Sequence, residues 1–158
     1  MSASVLSLYR RLERWPAGHW LFSRLICFRA PYFATIAPRF VLLEAGRCAV
    51  RIRDRRRVHN HLGTVHAIAL CNLAELCAGV MTEATIPAQM RWIPRSMSVE
   101  YLKKAVGSLL GSATPEQGLV ASAEGQQWPV AVQVTDARGE VVFRARVMMW
   151  VSPRRREP

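Results

Sequence analysis

The chain has 158 residues, about half of them apolar, and a formal charge of +11 at pH 7. This length suits one domain, and this apolar share supports a real core rather than a disordered tail. The charge points to an anionic partner and admits nucleic acid, a membrane surface, an acidic carrier protein or the phosphates of coenzyme A, while the apolar runs are interrupted by Arg24, Asn72 and Glu75 or are too short to predict a membrane-spanning helix.

Residues 5–15 carry Val5, Leu8, Leu12 and Trp15 at helical spacing with Arg10, Arg11, Glu13 and Arg14 between them, which predicts a surface helix stopped by Pro16-Ala17-Gly18. A second apolar segment, 20–28, ends before Pro31. Together they read as a basic, aromatic N-terminal appendage over 1–30, which packs on the body or touches a membrane peripherally. The segment lacks the charged lead and small-residue cleavage site of a signal peptide. Cys27, Cys48, Cys71 and Cys77 show neither a C-x-x-C pair nor zinc-site spacing, so reduced thiols and a cytoplasmic location are expected.

After Pro38, Phe40-Val41-Leu42-Leu43, the turn Ala45-Gly46-Arg47 and the alternating Ala49-Val50-Arg51-Ile52-Arg53 predict a hairpin. A run with four arginines over 53–57 leads into the polar loop 59–66. From 66 to 82 the residues are nearly all apolar or small, which predicts a central helix enclosed by other elements. Strands are predicted at 97–101, 108–113, 119–123, 130–134 and 141–151, the last two joined by Asp136-Ala137-Arg138-Gly139. The order implies an α+β domain with an antiparallel sheet around one helix, over 31–152, followed by a basic tail, 153–158.

A polar loop entering a buried helix presents unpaired backbone N–H groups and the positive end of the helix dipole, which suits a carbonyl oxygen gaining negative charge. The donors would come from His66, Ala67 and Ile68. Glu75 is the one acid between 66 and 82; on an enclosed helix it is either paired with Arg91, Arg95, Lys103 or Lys104, placed at a subunit interface, or catalytic. At about 100° and 1.5 Å per residue, His66 and Glu75 lie on opposite sides of the helix and about 13 Å apart along it. If both serve one substrate, Glu75 must come from a neighbouring subunit.

Asn60, Gly63 and His66 form an Asn-x-x-Gly-x-x-His pattern, followed nine residues later by the Glu of Leu73-Ala74-Glu75. This resembles the signature of hot-dog fold proteins similar to phenylacetyl-CoA thioesterases, in particular their uncharacterised thioesterase-like branch. Pro31-Tyr32-Phe33, the hairpin, and Val99-Glu100-Tyr101-Leu102-Lys103-Lys104-Ala105 with Gly107 extend the likeness over roughly 30–151. The resemblance implies that Asn60 orients water or binds the thioester, that His66 and the Ala67 N–H polarise its carbonyl, and that Glu75 of the partner subunit acts as general base or nucleophile. Gly63, Thr64, Ile68, Arg56 and Arg57 would contact substrate, the arginines through coenzyme A phosphates. It calls for no cofactor, and for a homodimer or a dimer of dimers acting on an acyl-CoA or acyl-carrier thioester. Many members carry His-Gly-Gly where this chain has His66-Ala67-Ile68, which adds side chains where the thioester approaches and either narrows the acyl pocket or leaves binding without turnover.

His59, His61 and His66 lack known zinc spacing, and no Gly-x-Ser-x-Gly or phosphate-cradling glycine motif occurs, so no metal is expected and nucleotide hydrolysis is disfavoured. The arginines over 51–57 lack interleaved aromatics, which disfavours nucleic acid. Three classes remain: a thioester hydrolase, a non-catalytic acyl-CoA or lipid-binding module, and a basic protein for anionic membrane or nucleic acid.

Overall fold

The computed structural model describes residues 4–120 and 124–154. Two helices, α1 (Val5–Leu12) and α2 (Gly18–Arg29), and a 3₁₀ turn, Pro31–Ile36, precede the hairpin β1 (Arg39–Glu44) and β2 (Arg47–Ile52). The long helix α3 (Ala67–Thr85) follows, then β3 (Met90–Tyr101), β4 (Leu109–Pro115), β5 (Gln126–Thr135) and β6 (Val141–Pro153). One antiparallel sheet runs β1-β2-β4-β5-β6-β3, so β1 and β3 are its edges.

The sheet wraps α3, as the resemblance implies. Alternation puts Val50 and Ile52 of β2, Val130, Val132 and Val134 of β5, and Phe143, Val147 and Met149 of β6 on one face, where they bury against Leu70, Leu73, Leu76, Cys77 and Met81 of α3. Helix and sheet approach closely at Gly111 of β4, where a Cβ would stand 2.9 Å from Leu73 Cγ and 3.1 Å from Cys77 Sγ. Leu73→Ala is expected to cost about 2–5 kcal/mol and Gly111→Ala about 1–3 kcal/mol. Since the first change vacates the space the second fills, the double variant should be more stable than the sum predicts, by at least about 0.5 kcal/mol in urea unfolding. Strict additivity would rule out the contact.

Several elements differ from expectation. β3 begins at Met90 rather than 97, because Pro94 and the arginines beside it disguise a strand that lies at an edge, where a missing N–H is tolerated; a register shift falls at Pro94/Ser96. β5 starts at Gln126, before Trp128-Pro129, and β4 and β6 each run two residues beyond their predicted ends. The predicted strand at 119–123 is not found at Leu119 and Val120, and 121–123 lie outside the described residues. α1 ends at Leu12, leaving Trp15 outside it and exposed, while Tyr9 is buried. The Tyr9 ring meets Phe22 edge-on at 5.0 Å, and Phe22 meets Phe40 of β1 in the same way, so the N-terminal helices share the core of the sheet.

The enclosure of α3 is also less complete than predicted. The sheet covers one side of the helix, and the stripe of Ile68, Cys71 and Glu75 opposite it is exposed or half-buried. At 19 residues α3 is long and apolar enough to cross a bilayer, contrary to the expectation from its polar interruptions, yet most of it is buried inside the protein, as befits a core helix. Its extension to Thr85 adds a second acid, Glu83, which accepts the Trp92 indole N–H at 2.5 Å.

Candidate active site

One side chain shapes the loop that enters α3. Asn60 Oδ1 accepts the N–H groups of Leu62 (2.9 Å) and Thr64 (3.1 Å), and its Nδ2 donates to Thr64 Oγ1 at 2.9 Å. Gly63 takes φ +73° with open space around it, so the left-handed backbone explains this glycine without a ligand. Bonds of 2.8 Å from Val65 N–H to Ala105 O and from His66 N–H to Val58 O tie the loop to its surroundings.

His66 then caps the helix. Its Nδ1 accepts the Ile68 N–H at 3.0 Å, which makes Nδ1 the unprotonated nitrogen and leaves Nε2 as the N–H donor of the neutral ring. The Ala69 and Leu70 N–H groups go to the His66 carbonyl. Ala67 thus supplies the one N–H of the first helical turn without an acceptor among the described residues. An unpaired donor at the positive end of a 19-residue helix suits an oxygen that acquires charge.

Beside this terminus lies a cleft of about 190 Å³, bounded by the Pro31–Ile36 turn, the Arg56–Val58 turn and the first two turns of α3. Of the predicted site residues it brings together His66, Ile68 and Arg57; Arg56, Asn60, Gly63, Thr64 and Ala67 do not line it. The exposed Ile68 side chain stands at the cleft where a glycine would leave room.

Three features of the cleft were not legible as site residues. Asn72, 6% exposed, donates from Nδ2 to Thr35 Oγ1 at 3.0 Å, and its Oδ1 is buried with no partner. Tyr32 and Thr35 reach the cleft from the 3₁₀ turn. His59 lines it too, with Nε2 hydrogen-bonded to Asp54 Oδ1, while Asp54 Oδ2 accepts the Gly107 N–H at 2.8 Å. Burial works against ionisation of Asp54, but the Gly107 N–H and the His59 ring outweigh it and hold the carboxyl below its ordinary value. A carboxyl depressed by folding stabilises the fold above its unfolded pKa and loses that contribution as pH falls through the folded one. Asp54→Asn should therefore cost about 1–3 kcal/mol near neutral pH, a deficit that shrinks below about pH 4, where the unfolded carboxyl takes up its proton. Urea midpoints at several pH values would check this, and a deficit independent of pH would reject it.

His59, His61 and His66 do not converge on a metal: among the described residues no three His, Cys, Asp or Glu side chains gather as a candidate ligand set.

Glu75 is exposed in the protomer rather than buried, and no salt bridge joins it to Arg91, Arg95, Lys103 or Lys104. Lys103 pairs with Glu140 instead, and the Arg95 guanidinium lies 4.5 Å from the centre of the Trp150 ring. Glu75 opens onto a second cavity, also of about 190 Å³, with Pro94, Arg95, Ser96 and Met97 of β3. On the same stripe Cys71 Sγ and Tyr101 Oη are 3.2 Å apart, and this contact, with burial, pushes the Tyr101 hydroxyl up to about 12, so it stays protonated. His66 and Glu75 thus face different cavities, as their helical spacing predicts.

A structural-genomics target, APC5556, shares 45% identity and superposes with a TM-score of 0.82 over 96% of this chain and 100% of its own. A Pseudomonas aeruginosa protein of unknown function, PA5026, described as a probable thioesterase, is 23% identical with a TM-score of 0.69 over 78% of this chain and 88% of its own. A thioesterase family protein from Silicibacter pomeroyi, 15% identical, reaches a TM-score of 0.72 over 84% and 96%. These two share the fold. No curated protein matches the chain in sequence. A family model, the domain of unknown function DUF4442, spans residues 18–151, and with its sheet wrapped around α3 the chain is a member of that family built on the hot-dog fold of thioesterases.

Proposed function

We propose that this protein hydrolyses an acyl thioester at a site completed by a second copy of the chain. The observation that carries the reading is the unpaired Ala67 N–H at the start of α3, beside a cleft large enough for part of an acyl group. The thioester oxygen would lie on the Ala67 N–H with the His66 Nε2–H near it. Glu75 of the partner subunit would take a proton from water as the water oxygen bonds to the carbonyl carbon, or would itself attack to form a mixed anhydride that water then opens to the free acid and the original carboxylate. On either route the C–S bond breaks, and the sulfur leaves with the electron pair and takes up a proton as free thiol.

A dimer is supported by exposed apolar groups close to this machinery: Ile68 on α3, Ile93 and Tyr101 on β3, and Leu62, Leu102 and Val106 in loops. β3 has a free edge twelve residues long, which a second copy would cover. A further pairing of dimers is compatible with the same reading. The loop bonds of Asn60 would make it and Thr64 positioning residues for His66, with one Asn60 N–H left for water. Arg57 at the cleft, and Arg56 beside it, would draw the phosphates of coenzyme A or of a carrier's prosthetic arm. Four free thiols, three of them buried, fit the reducing cytoplasm in which such substrates occur.

A second reading is favoured by Ile68, whose side chain stands at the point of approach: a module that binds the thioester without turning it over. A panel of acyl-CoA esters of different chain length and aryl character separates the two. Release of free thiol that grows with enzyme concentration supports hydrolysis. A raised melting temperature without thiol supports binding alone, and neither response across the panel would sink both.

A further inference from the structure

The inner face of α2 is committed to the core. Gly18, Phe22, Ser23 and Cys27 are buried, and the Ser23 hydroxyl accepts the Phe40 N–H at 2.9 Å while donating to His19 O at 2.6 Å. The helix is therefore locked in rotation, and whatever it carries on its outer side must face outward. That side is apolar. Leu21, Leu25 and Phe28 recur at the spacing of one helical stripe beside Trp20, Trp15 precedes the helix and Tyr32 follows it, and all six are exposed, Phe28 to 88% and Trp15 to 70%. Scattered exposed apolar residues are ordinary, but an apolar stripe of leucines and aromatics on a helix that cannot turn is not.

The charge around the stripe is strongly positive, with Glu13 the one acid in its segment of the chain. Arg24 and Arg29 are exposed on α2, Arg10 and Arg11 on α1 and Arg14 just beyond it, and no Asp or Glu occurs between Glu13 and Glu44. A second copy seated on this face would bring equivalent arginines together with Glu13 as the one acid of residues 4–43 to offset them. An acidic protein would meet the charge but would not call for so much unpaired aromatic surface. An anionic lipid surface meets both needs: Trp and Tyr settle at the headgroup boundary, Phe and Leu enter the acyl region, and the arginines reach back to phosphate.

We infer that the outer face of α2 with Trp15 and Tyr32 docks this protein peripherally on anionic membrane. This goes beyond the hydrolase reading and does not depend on it. The Pro31–Ile36 turn that continues the stripe also walls the cleft, so docking sets the cleft near the lipid surface.

The test is co-sedimentation of the full chain with vesicles of pure phosphatidylcholine and with vesicles containing about 30% phosphatidylglycerol, at low and high salt. The wild type should bind the anionic vesicles and largely spare the neutral ones. Because a chain of charge +11 adheres to any anionic surface, the deciding variant leaves the charge intact. Leu25→Ser with Phe28→Ser should weaken binding at least about tenfold and abolish the blue shift of tryptophan fluorescence on mixing. Arg24→Gln with Arg29→Gln should weaken it about thirtyfold at low salt, at roughly fivefold for each arginine. All four positions are exposed, and an unchanged circular dichroism spectrum would confirm folding. Equal wild-type affinity for neutral and anionic vesicles would overturn the inference, as would a serine variant that binds like the wild type. So would a serine variant that lowers the oligomeric mass in light scattering while the wild type ignores lipid, which makes the face an interface between copies. Capture by an acidic carrier protein in place of vesicles would overturn it equally.

Discussion

Glu75→Ala is expected to lower kcat for thioester hydrolysis by about 10²–10⁴, the usual contribution of a positioned general base, while leaving the melting temperature within a few degrees. The structural part of this expectation rests on exposure: among the described residues the side chain makes no ion pair, so its loss strands no charged partner there. The kinetic part rests on the proposed two-chain site and has a sharper form. If Glu75 acts across an interface on the His66 of another copy, mixing inactive Glu75→Ala with an inactive variant altered at the helix start should restore activity, because one kind of mixed site holds both native residues. Unchanged turnover in Glu75→Ala, or no recovery on mixing under conditions that exchange subunits, would remove Glu75 from this role.

Ala67→Pro is the natural partner for that experiment. Proline deletes the N–H at the first helical position, where no intrahelical bond is lost and its fixed φ is tolerated. The preceding residue, His66, has φ −64° and ψ 142°, a conformation that a following proline favours. The helix should therefore form as before while the donor proposed for the thioester oxygen disappears. Loss of one such donor is expected to lower kcat by about 10²–10³ with a smaller change in KM. A variant that keeps wild-type kcat would show that the oxygen lies elsewhere, and one that loses stability as well as activity would leave Ala67→Gly, which keeps the N–H and should stay active, as the control.

The parts of the fold carried by a local period were readable in advance. The two hairpins follow from alternation with glycine-bearing turns at Gly46 and Gly139, and α3 from its apolar composition with a polar loop before it. Pro94 hid half of β3 because the penalty on a strand proline depends on whether the strand is an edge, which the sheet order decides and no window of sequence reveals. Glu75 was expected to be buried because an apolar helix reads as enclosed; its actual exposure depends on one side of α3 being left bare by a single-layer sheet. The loop from Asn60 to His66 was legible as a unit since its bonds are nearly all local. Asp54 with His59 and Gly107, and Asn72 with Thr35, were not, because each joins segments that only the folded chain brings together.

The position of β3 in the sheet has a consequence for how the chain is made. Among the described residues β3 pairs only with β6, from Met90 opposite Pro153 to Tyr101 opposite Phe143, so a strand made before β4 and β5 waits for β6 to emerge. Until then β1, β2, β4 and β5 can form their ladder, but the segment destined to be the free edge has no neighbour. The surface offered to a second copy therefore forms late in folding, after β6 has added to β5, and until then the β3 segment stays an unpaired strand open to mispairing with its siblings.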